Sequence, residues 1–125
     1  MITDRSGKVI ENVCDLKYLT EMMGGKKHLI KGIMDSFLVQ IPEELKAIND
    51  AILQVNYSVI KNFTHTMKSS VSILGVSMLI PVLKEMEELA ASAMNIEKIK
   101  ELNQELTLIC HLAIEEVLRD KEKFI

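Results

Sequence analysis

Tryptophan is absent from this 125-residue chain, and three phenylalanines and two tyrosines are its only aromatic residues. Any core must therefore be built mainly from aliphatic and methionine side chains, and 48% hydrophobic content is enough to build one. Two prolines and five glycines leave few breakers, and almost no alternating apolar pattern occurs, which argues against a turn-dense β architecture. Cys14 and Cys110 are the only cysteines; a single distant pair makes neither a disulfide framework nor a zinc site, and each is read as a small buried or half-buried residue. Basic residues are not in excess: 15 Lys and Arg against 18 Asp and Glu give a net charge of −3, without the basic footprint that nucleic acid requires. No apolar run approaches a membrane span. The opening MITDRSGKVIENV carries Asp4, Arg5, Lys8 and Glu11 instead of an apolar stretch, so no signal peptide is read there. The cytoplasm is the expected location. Glycine-rich phosphate loops and metal-binding carboxylate clusters are missing too, so the chain is not expected to bind or cleave ATP by itself.

What the chain does have is helical periodicity. Residues 1–14 read as an arm whose Val9, Ile10 and Val13 can pack on the remainder. A short helix is predicted over about 15–23, capped by Asp15 and stopped at Gly24 and Gly25. A long one follows over about 27–54, with an apolar line through Ile30, Ile33, Met34, Phe37, Ile41, Leu45, Ile48 and Ile52. That line keeps its phase through Pro42, so a kinked but continuous helix is expected. A third helix begins at Asn56 and stops at Gly75. A fourth is expected to be capped by Ser77, with Pro81 in its first turn and a stripe of Leu79, Val82, Leu83, Met86, Leu89, Ala90 and Ala93. Asn95 caps a fifth, whose seam is Ile99, Leu102, Leu106, Ile109, Cys110, Ala113 and Val117. Short loops between long amphipathic helices make antiparallel neighbours. The expected fold is all-α: one domain over 15–125, an antiparallel four-helix bundle with a short additional N-terminal helix.

The third helix carries the main clue to function. At about 100° per residue, Ile60, Phe63, Met67, Val71 and Leu74 share one sector, and His65 falls about 160° from its centre. An outward imidazole thus sits among Asn62, Ser69 and Ser72, with Lys61 one turn before it and Lys68 one turn after. A neutral imidazole is a competent nucleophile near pH 7. A lysine one turn away can neutralise a phosphoryl group placed on the ring, and serines keep the surface low enough for another protein to approach. His28 and His111 are read as solvated. A metal site in the bundle is disfavoured, because the three histidines face outward and lack Glu-x-x-His partners.

The segment FTHTMKSSVSILG resembles the signature of histidine-containing phosphotransfer domains, approximately H-x-[apolar]-K-[small]-[small]-x-x-x-[apolar]-G. His65, Met67, Lys68, Ser69, Ser70, Leu74 and Gly75 fit in order, and the apolar pattern fits over about 15–118. The resemblance implies that His65 is the phospho-acceptor and that Lys68 stabilises the phosphoryl group. It implies a phosphorelay carrier that takes phosphate from the aspartate of one response-regulator receiver domain and passes it to another. The partners would be receiver domains or a hybrid sensor kinase, without nucleic acid or membrane insertion, and the chain would act as a monomer. It would have no kinase activity and bind no cofactor of its own, the Mg²⁺ residing in the receiver. Lys61, Asn62, Ser69 and Ser72 would form the docking surface.

Two positions depart from the usual pattern. Ser69 stands where glycine is commonest, and its hydroxyl can bond the phosphoryl group or the preceding turn. Glu87 stands where many members carry glutamine. Related phosphotransfer domains of chemotaxis kinases have glutamate there, hydrogen-bonded to the imidazole. Glu87 is a boundary residue of the fourth helix, able to reach His65 and orient its ring, or to pair with Lys84, Lys61 or solvent. The rival reading is a non-catalytic helical module that binds receiver domains without phosphotransfer.

Overall fold

Asp15 begins the helical part of the chain, its Oδ1 accepting the Tyr18 N–H at 3.1 Å and so capping α1 (Leu16–Met22). The computed structural model describes the backbone at 2–3 and 9–10, and residues 12–124. Gly24 and Gly25 close α1 at positive φ, and α2 (Lys27–Leu53) then runs unbroken through Pro42. Pro42 is exposed, while Phe37, Ile41, Leu45 and Ile48 around it are buried; burial on the opposite face holds the helix together where the proline removes a hydrogen bond. Ile33, expected on the buried line, is only half-buried.

Helix α3 (Tyr57–Ile73) is capped by Asn56, whose Oδ1 accepts from Val59 N at 3.3 Å. Helix α4 (Leu79–Ala91) is not capped by Ser77 as expected: its N-cap is Met78, with no side-chain bond. Bonds from Leu79 N to Val76 O and from Ile80 N to Ser77 O fold 76–80 into tight turns instead. Pro81 does lie in the first turn of α4. Ala93, assigned to the buried stripe, lies past the end of α4 at φ 49 and is exposed. Asn95 caps α5 (Ile96–Asp120), its Oδ1 3.2 Å from Lys98 N. A 3-10 turn over Lys121–Phe124 follows, and Lys121 Nζ reaches Asp35 Oδ1 of α2 at 3.3 Å.

Helix α3 packs against α2 and α4, and α5 against the same two. All seven residues of the expected α5 seam are buried, and one apolar cluster extends from Val13 through Val117. The regular structure of the described residues is helical except at the start of the chain. There Ile2–Thr3 (β1) pairs antiparallel with Val9–Ile10 (β2), four β-branched positions that favour extended backbone. Val13 is buried in the cluster; the side chains of Val9 and Ile10 lie outside the described residues.

The segment after the strand pair is fastened twice. Glu116, 8% exposed, accepts from Val13 N at 2.7 Å and from Cys14 N at 2.9 Å, one N–H on each carboxylate oxygen. Asp15 N donates to Leu74 O at 3.1 Å, at the end of α3. Gly75 sits there at φ 69, and a Cβ on it would stand 2.5 Å from Asp15 Cβ and 2.8 Å from Asp15 O. Only glycine satisfies both the left-handed backbone and the close approach. No helix among the described residues is long and apolar enough to cross a membrane.

Candidate functional site

Residue 64 sets the direction of residue 65. Thr64 is fully buried, which the apolar pattern alone did not indicate. Its hydroxyl donates to Ile60 O at 2.8 Å, one turn back, so the polar group is satisfied within its own helix and the methyl faces the core. Phe63, expected in the core, is half-buried instead. With Thr64 turned inward, His65 projects outward, its side chain 69% exposed.

Glu87 reaches across from α4. Its Oε2 lies 3.0 Å from His65 Nδ1, and its Oε1 lies 2.6 Å from Lys68 Nζ. Thus the structure brings His65, Lys68 and Glu87 together, and Glu87 engages neither Lys84 nor Lys61. The Lys68 ammonium beside it, and then the imidazole, hold the Glu87 carboxyl below its usual range despite the opposing effect of burial. An ionised carboxylate can only accept, so the hydrogen must reside on Nδ1 and the Nε2 lone pair is left available. Among the described residues no hydrogen bond reaches Nε2. Glu87 therefore fixes one tautomer and leaves the outer nitrogen as the nucleophile.

The same carboxylate changes the local charge. Lys68 is paired with Glu87, and among the described residues no carboxylate pairs with Lys61 beside His65. Lys61, Asn62, His65, Thr66 and Glu87 line an open cavity of about 400 Å³. Thr66 was not singled out by sequence reasoning. Its hydroxyl bonds back to Asn62 O at 3.0 Å, and that of Ser72 to Lys68 O at 2.7 Å. Hydroxyls folded onto the helix keep the surface around the imidazole low. Ser69 is exposed, and among the described residues it makes no such bond.

Ser72 lines a different cavity, of about 260 Å³, with Asp15, Tyr18, Gly75, Ser77 and Ile80. A third, of about 380 Å³, lies between α2 and α3 and includes His28, Leu29, Ile33, Phe37 and Ile73, but none of His65, Lys68 or Glu87. His28 and His111 are exposed. Among the described residues no group of three or more His, Cys, Asp or Glu is placed to hold a metal ion. Compared with protein-family models, curated proteins and solved structures, the chain finds no match in any of the three.

Proposed function

We propose that this chain is a histidine phosphocarrier of a phosphorelay, built as an antiparallel four-helix bundle of the histidine-containing phosphotransfer type with α1 as the short additional helix. The observation that carries the reading is the 3.0 Å contact of Glu87 Oε2 with His65 Nδ1. It supplies an exposed imidazole with a fixed tautomer, which solvent exposure alone does not. The mutual packing of α2, α3, α4 and α5 around one core supports the bundle.

The transfer step follows from the site. The Nε2 lone pair attacks the phosphorus of a receiver's aspartyl phosphate, an N–P bond forms, and the P–O bond to the aspartate breaks with the carboxylate as leaving group. The ring becomes a phosphorylated imidazolium that still carries its Nδ1 hydrogen, and Glu87 stabilises that positive charge through the existing hydrogen bond. Lys68, between Glu87 and the incoming phosphoryl oxygens, offsets their charge. Donation to a second receiver is the same step reversed. The metal ion and acidic groups are the receiver's, so the chain works only in a docked complex, with Lys61, Asn62, Ser69 and Ser72 on the docking face.

Incubation with a phosphorylated receiver domain is expected to give an acid-labile, base-stable label on this chain, and none on His65→Gln. A label that persists on His65→Gln overturns the assignment. Unchanged receiver binding by His65→Ala, with no transfer from the wild-type chain at any receiver concentration, identifies a binding module instead.

A further inference from the structure

Ser72 follows His65 by seven residues, so the two lie within about 20° on α3 and about 10 Å apart along its axis. A protein seated on His65 therefore also covers the cavity beside Ser72, formed where the start of α1 meets the end of α3 and the start of α4. The polar side chains of that cavity are the Asp15 carboxylate, the hydroxyls of Ser72 and Ser77, and the Tyr18 phenol. Asp15 Oδ1 caps Tyr18 N, and among the described residues no cation pairs with this carboxylate. Ser72 spends its hydrogen on Lys68 O and leaves lone pairs as acceptors. The last turn of α3, whose dipole is negative at this end, contains no basic residue. Tyr18 is 49% exposed and offers an aromatic ring. The carboxylate, the acceptor lone pairs, the end of α3 and the aromatic ring favour a cation with several N–H donors, and they oppose the positive dipole ends of α1 and α4 at the same cavity.

We propose that this cavity receives an arginine side chain of the docking partner, a second anchoring point that fixes the partner's orientation over His65. As a statement about the partner, it rests on the phosphocarrier reading; the pocket's preference for a guanidinium does not. The guanidinium would donate to Asp15 and the serine oxygens, with its methylenes against Ile80 and Tyr18.

Titration of the ¹⁵N-labelled chain with N-acetyl-arginine amide tests this, with the citrulline analogue as the near-isosteric neutral control. Saturable shifts are expected at the Tyr18, Gly75 and Ser77 amides with the arginine compound alone. Asp15→Asn should raise the half-saturating concentration about tenfold or more without unfolding α1, because asparagine caps α3 and α5 of this same chain. His65→Gln should bind the arginine compound as the wild type does, so failure of phosphotransfer and failure of this pocket are read separately. Equal shifts with the citrulline compound, no saturation, or an unaltered titration of Asp15→Asn overturns the proposal.

Discussion

Glu87 serves two partners with two oxygens, and its ionisation ties them together. Its folded-state pKa lies below the ordinary value, so the stability it adds is present above the usual carboxylate range and is lost as pH falls through the depressed value. Removing the larger cause should move it back: in Lys68→Ala the Glu87 carboxyl should titrate closer to a free glutamate, as ¹³C NMR of the side chain would read. The same variant should fold normally and transfer phosphate about tenfold more slowly, the equivalent of one charge-assisted contact; an unaltered rate removes Lys68 from the site. Gly75 gives a second test at this scale. Gly75→Ala meets both a left-handed backbone and the Asp15 main chain, whereas Gly24→Ala meets only the first, with nothing within 4 Å. Chemical denaturation should show a loss of roughly 1 kcal/mol for Gly24→Ala and clearly more for Gly75→Ala. His65 was legible because a polar residue opposite an apolar stripe reads directly from periodicity. The Glu87 contact was legible only as one reach among several, since the choice depends on how α3 and α4 align, which no local pattern encodes. Thr64 is missing from the expected stripe because its hydroxyl counts as polar until the bond to Ile60 O is known.

Among the elements, the helices were the legible part and the junctions were not. Asp15, Asn56 and Asn95 act as the caps their residue types announce, whereas Ser77 lost that role to turns shaped by backbone bonds. Glu116 is the largest omission. A glutamate near the end of a charged helix reads as solvated, yet its partners are backbone N–H groups 102 and 103 positions earlier. Because it fastens the segment ahead of α1 to α5, Glu116→Ala leaves one buried and one half-buried donor unpaired and should cost about 2–4 kcal/mol. Hydrogen exchange should report it specifically, with protection lost at the Val13 and Cys14 amides well before the amides of α3.

The molecule as a whole keeps both thiols out of chemistry. Burial, foremost, and then Glu44 push the Cys110 thiol up to about 12. Burial and the neighbouring Glu116 raise Cys14 further still. Neither forms appreciable thiolate near neutrality, so alkylation of the native protein at pH 8 should be slow and should accelerate in step with unfolding by denaturant. Fast labelling of Cys110 in the folded chain would show that the core around α5 opens locally. The aliphatic composition that made the helical class legible also supplies this seal, since Ile99, Leu106 and Ala113 on α5 are fully buried along with Cys110.

The double fastening of residues 13–15 has a consequence for the order of folding. Bonds from Val13 and Cys14 to Glu116, and from Asp15 to Leu74, close long loops, while α2 with α3 and α4 with α5 are joined by only a few residues. Chain entropy favours the short closures first. The helical hairpins therefore assemble before the N-terminal segment docks, and that segment is the first to detach. At the end of the histidine-bearing helix the local bonds from Gly75 N to Ser72 O and from Val76 N to Val71 O are thus expected to close early, with the Asp15 contact at Leu74 and Gly75 added to them last.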